Sequence, residues 1–68
     1  MARQPSAGDK DILIEFVVQG SAVRVTAIHA GSGTEATIVG PATAPRKALE
    51  AAALRKLTYV LERKRGAT

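Results

Sequence analysis

The stretch Ile12-Leu13-Ile14-Glu15-Phe16-Val17-Val18-Gln19-Gly20-Ser21-Ala22-Val23-Arg24-Val25-Thr26-Ala27-Ile28-His29 decides the fold. Ile12, Ile14, Phe16 and Val18 recur at every second position, the period of a strand with one buried face. Val23, Val25 and Ala27 repeat that alternation after a gap, with Arg24, Thr26 and Ile28 on the other face. The β-branched and aromatic content suits a pleated surface. Gln19-Gly20-Ser21 between the two runs is a turn signal, so the stretch predicts a β-hairpin.

Toward the C-terminus, Ala30-Gly31-Ser32-Gly33 marks a second turn. Thr34 to Val39 follows as a third strand, with Ala36 and Ile38 alternating against Glu35, Thr37 and Val39. Connections this short make a three-stranded antiparallel meander. Gly40-Pro41-Ala42-Thr43-Ala44-Pro45 predicts an end to the sheet, because two prolines are expected to exclude regular pairing. Thr43 is the better expected helix cap, with Pro45 in the first turn. From Pro45 to about Lys64 the chain is rich in Ala, Leu, Glu, Lys and Arg, strong helix formers, and Gly66 is the expected stop. On a helical wheel Leu49, Ala53, Leu54, Leu57, Val60 and Leu61 share one arc, the expected core face. The expected fold class is therefore α+β in two layers: a three-stranded antiparallel meander followed by one C-terminal amphipathic helix, β-β-β-α. Residues 1–10 show no periodicity and predict a flexible tail; residues 11–65 form the single domain and residues 66–68 a flexible end.

A chain of 68 residues is one domain, of a size that is marginal by itself. Thirteen of its apolar residues are alanines, which bury little area each. It has no cysteine and a single histidine, His29, which excludes disulfides, thiolate metal sites and two-histidine metal sites. No cofactor is expected. Dense packing or a partner chain is left as the compensation for size. No apolar run approaches the roughly 20 residues that a membrane span needs, and residues 1–11 lack the apolar stretch of a signal peptide. A cytoplasmic protein without membrane contact is the expectation.

Nothing in the sequence assembles a catalytic constellation, and no enzyme is expected. Gly31-Ser32-Gly33-Thr34 has the composition of a phosphate loop, but such a loop opens a helix, and here a strand pattern follows. His29 lies near Ser32 and Glu35 in sequence, yet a hairpin loop offers no cleft for nucleophilic chemistry. Charge carries more information. Residues 45–65 hold seven cations (Arg46, Lys47, Arg55, Lys56, Arg63, Lys64, Arg65) against Glu50 and Glu62, a net +5 in a chain of net +4. Arg55, Lys56, Tyr59 and Arg63 share the arc opposite the core leucines. Basic groups around an aromatic suit phosphates and a stacked base, or an acidic protein.

Residues 11–65 resemble a family of short, uncharacterised conserved bacterial proteins, mostly alphaproteobacterial, of unassigned function. Phe16-Val17, Val23-Arg24-Val25-Thr26-Ala27-Ile28, Gly33-Thr34-Glu35, Ile38-Val39-Gly40-Pro41, Ala44-Pro45-Arg46 and Ala52-Ala53-Leu54-Arg55-Lys56-Leu57 carry that likeness. The stretch Arg46-Lys47-Ala48-Leu49-Glu50-Ala51-Ala52-Ala53-Leu54 also resembles the final helix of double-stranded-RNA-binding domains. That resemblance implies phosphate contacts for Arg46 and Lys47. The chain departs from those domains in lacking their N-terminal helix and in carrying Pro41 and Pro45 before the basic pair.

Two functions follow as expectations. The first is a non-enzymatic, homodimeric interaction module with a basic helix surface. The alternative is weak, sequence-nonspecific binding of nucleic acid, double-stranded RNA above all, through Arg46, Lys47, Arg55, Lys56, Tyr59 and Arg63. The expected dimer surface is the sheet face away from the helix, where Leu13, Val17, Ile28 and Val39 lie beside Glu15, Arg24, Glu35 and Thr37. Exchange of the C-terminal helix between chains is the second expected geometry, because the Gly40–Pro45 hinge is short and stiff.

Overall fold

The computed structural model describes residues 12–66. The tail expected over residues 1–10 lies outside the described residues, as do residues 67 and 68. Three eight-residue strands, β1 (Ile12–Gln19), β2 (Ala22–His29) and β3 (Thr34–Pro41), are followed by one helix, α1 (Arg46–Gly66). The strands form one antiparallel sheet in the order β1-β2-β3. The α+β meander-plus-helix architecture is as the sequence predicts.

Turn chemistry sets the register. Gln19 pairs with Ala22 across the two-residue loop Gly20-Ser21. Gly20 takes φ 61° while Ser21 keeps a negative φ, which makes this a type II′ turn matched to the twist of the strands. From there Phe16 faces Val25 and Ile14 faces Ala27. At the second turn the Gly33 amide donates to the His29 carbonyl at 2.8 Å and closes the Ala30–Gly33 loop. Gly31-Ser32-Gly33-Thr34 is thus a hairpin turn leading into β3.

The sheet extends further than expected. Gly40 pairs with Val23 and Pro41 with Ala22, and the Ala42 amide still donates to the Ser21 carbonyl at 2.8 Å. Pro41 is tolerated because hydrogen-bonded pairs alternate along an antiparallel ladder. The Ala42–Ser21 bond puts Pro41 out of phase, so its missing N–H faces the open edge rather than β2. The chain then turns, with the Ala44 amide donating to the Pro41 carbonyl at 3.0 Å. Thr43 sits inside that turn and is not the helix cap. Pro45 takes the cap position instead, its carbonyl accepting from the Ala48 and Leu49 amides at 3.0 and 3.1 Å. At the other end α1 stops at Gly66, the expected stop.

One face of the sheet packs on α1. Ile14, Phe16, Val23, Val25, Ala27, Ala36, Leu49, Ala53 and Leu57 are buried, with Ile12, Ile38, Ala44, Leu54, Val60 and Leu61 against them. The expected core face of the helix is the observed one. Val18 is the exception on the strands: it points to the core side yet is 47% exposed. The helix runs over β3 and β2, and Val18 lies at the end of β1, outside its reach.

The two layers approach closely at Gly40. A Cβ there would lie 2.5 Å from Cδ2 of the buried Leu49. Gly40→Ala should lower stability by about 1–3 kcal/mol through overpacking. Adding Leu49→Ala should cost less in that background than in the wild type, as urea denaturation of the four proteins of the cycle will show. Leu57→Ala should cost about 2–5 kcal/mol, a large part of what a domain this small possesses.

Candidate interaction surfaces

The helix carries more than one surface. Spacing of three and four residues places Arg46, Glu50, Ala53, Leu57, Val60 and Lys64 along one side. The stripe that packs on the sheet therefore begins and ends in a cation. Arg46 reaches down at the first turn, its guanidinium carbon 4.1 Å from the centre of the Phe16 ring. Lys64 reaches down near the last turn, its Nζ donating to Thr34 Oγ1 at 3.3 Å. Between them Lys56 leans over the sheet margin, and its Nζ donates to the Thr37 carbonyl at 2.7 Å.

These contacts revise the basic surface expected from sequence. Lys56 is not on the arc opposite the core: it flanks the sheet and holds the edge of β3. Arg46 is exposed, with its guanidinium stacked over the Phe16 ring. Arg55, Tyr59 and Arg63 are exposed as expected, and so is Lys47. Tyr59 is 58% exposed. The Arg63 guanidinium carbon lies 5.7 Å from its ring centre, with Nη1 donating to the tyrosine hydroxyl at 3.3 Å. Sequence reasoning left Lys64 out of the site. The signal was its spacing of seven from Leu57, which puts it on the core side.

The outer sheet face is laid out by the register. Leu13, Ile28 and Glu35 form one row; Glu15, Thr26 and Thr37 the next; Val17, Arg24 and Val39 the third. Leu13, Val17, Ile28 and Val39 thus share the face, with Leu13 46% and Val39 69% exposed. They do not form one patch. Arg24 stands between Val17 and Val39, and the middle row is polar, with the Thr26 and Thr37 hydroxyls 3.0 Å apart.

At the second hairpin, four polar side chains meet. His29 Nδ1 and Ser32 Oγ lie 2.8 Å apart. Ser32 Oγ donates to Thr34 Oγ1 at 2.8 Å and accepts from the Thr34 amide at 3.3 Å. Which of His29 Nδ1 and Ser32 Oγ donates in their contact is set by the histidine tautomer. The cluster closes the turn and ties it, through Lys64, to α1.

No helix among the described residues is long and apolar enough to cross a membrane. A family model described as "Domain of unknown function (DUF6898)" matches residues 9–64. No curated protein and no solved structure matches the chain.

The cation contacts give a stability test. Arg46→Gln should cost about 0.5–1 kcal/mol by removing the guanidinium from the Phe16 face. Arg55→Gln, an exposed change, should fall within about 0.5 kcal/mol of wild type in the same urea titration.

Proposed function

The chain belongs to this family of unknown function, and we propose from its own surfaces that it is a cytoplasmic, non-enzymatic, homodimeric interaction module with a basic helix surface. The observation that carries this reading is incomplete cover. A single helix packs on one face of the sheet, and Leu13, Val18 and Val39 stay substantially exposed. Exposed apolar groups on so small a domain mark contact sites, and burying them in a second copy compensates for a small core. Leu13, Val17, Ile28 and Val39 offer the outer face to that copy or to a further protein. The Gly40–Pro45 hinge offers helix exchange as another route, although α1 here packs on its own sheet.

Light scattering and sedimentation at micromolar protein test the dimer. The expected result is a dimer mass and a thermal midpoint that rises with protein concentration. A monomer mass with a concentration-independent midpoint contradicts it.

The exposed Tyr59 with Arg63 over its ring supports a second reading: weak, sequence-nonspecific binding of nucleic acid, double-stranded RNA in particular. Arg55, Arg63 and Lys47 are its cations, while Arg46 and Lys56 are drawn toward the sheet. Affinity should then fall log-linearly with salt. Arg55→Glu with Arg63→Glu should abolish binding and leave the circular dichroism spectrum unchanged. No mobility shift with RNA or DNA at low salt removes this reading.

A further inference from the structure

The helix side of the sheet is not filled where β1 ends. A cavity of about 190 Å³ opens there, between the first hairpin and the start of α1. Phe16, Val18 and Val23 from the sheet, Ala42 and Ala44 from the connection after β3, and Leu49 from α1 form its walls. All six are apolar. Phe16, Val23 and Leu49 belong to the buried core, so packing fixes that part of the wall. Val18 lies on the same side yet is 47% exposed. The fold covers it with nothing, and an occupant of the cavity would.

The one charged residue in the lining is Arg46. Its guanidinium carbon sits 4.1 Å from the centre of the Phe16 ring. That contact sets the cation against the face of the ring. The five N–H donors of a guanidinium lie in its plane and point away from its centre. Arg46 can therefore keep Phe16 and still present donors to a carboxylate, the group its fork matches. The connection adds no competing donor, because the Ala42 and Ala44 amides already donate to the Ser21 and Pro41 carbonyls. No acidic residue stands in the first turn of α1. Glu50, which follows one turn on and is engaged in an interaction, is not part of the lining.

We propose that this cavity binds a small carboxylic acid with a compact apolar body, its carboxylate on Arg46 and its body against Val18, Phe16 and Leu49. Size, charge and wall chemistry each narrow the choice. An apolar cavity of about 150 Å³ holds a benzene ring, so this one admits a ring with a short arm. A chain of net +4 favours an anion over a cation. The apolar walls disfavour an inorganic anion or a sugar, whose remaining polar groups would lose water and find no partner. The site stands apart from both readings of the function. It lies on the opposite face of the sheet from Leu13, Val17, Ile28 and Val39. Tyr59 is thirteen residues further along α1, about 20 Å away.

The test is an NMR titration of the isotope-labelled full-length protein with phenylacetate as the probe. Phenylacetamide is the uncharged isostere and acetate the anion without the ring. Phenylacetate should shift the amides of Val18, Val23, Ala44 and Arg46 saturably, with a Kd of about a millimolar. Phenylacetamide should bind about tenfold more weakly, and Arg46→Gln should weaken phenylacetate by about the same factor without affecting phenylacetamide. Val18→Glu puts a carboxylate beside Arg46 from an exposed position and should remove the binding. Val39→Glu makes the same change of net charge on the outer face and should leave it intact. Acetate binding as tightly as phenylacetate would overturn the proposal. So would equal losses in the two glutamate variants, since net charge alone would then hold the anion. Absence of a saturable shift at tens of millimolar phenylacetate would overturn it as well. Should Arg46→Gln fail to fold, the two glutamate variants decide.

Discussion

One helix has to serve a three-stranded sheet, and the rest of the structure follows from how it is placed. The approach of Leu49 to Gly40 fixes α1 close to β3. Lys56 on the Thr37 carbonyl and Lys64 on Thr34 hold it there along the strand. With the helix so placed, Leu57 and Ala53 bury fully over the centre of the sheet. Val18 at the far strand does not.

That placement gives the molecule two unlike sides. The β3 margin is polar, basic and occupied. The β1 margin is mostly apolar, with Arg46 of the helix over Phe16, and among the described residues no strand pairs with its outer side. Lys56 and Lys64 belong to the first side. The outer face joins them, but Arg24 and the Thr26–Thr37 row divide its apolar residues into small groups. Association with a polyanion weakens with salt. Pairing of two chains of like net charge does not, since salt screens their repulsion.

The architecture was legible in the sequence because each element carried its own period. Ile12 to Val18 and Val23 to Ala27 alternate, and the leucines after Pro45 recur at three and four. The missed details all depend on contacts between elements. Pro41 reads as a strand breaker until the phase of the ladder shows that its nitrogen faces outward. Thr43 reads as a cap until the Pro41–Ala44 turn absorbs it. Arg46 and Lys56 read as solvent-facing cations because a wheel gives direction but not what lies beneath. Lys56 falls at the border of the core arc, and only the position of β3 decides that it reaches a carbonyl. Gly40 reads as a loop glycine, and nothing local shows that Leu49 needs its missing Cβ.

The claim that α1 serves β3 and β2 and leaves the free edge of β1 uncovered is tested most directly by amide hydrogen exchange, residue by residue, in dilute protein. The amides of Leu13, Glu15 and Val17 face β2 and should be protected. Those of Ile14, Phe16 and Val18 point away from β2 and should exchange quickly. Protection at Ile14, Phe16 and Val18 equal to that at Leu13, Glu15 and Val17 would contradict the account.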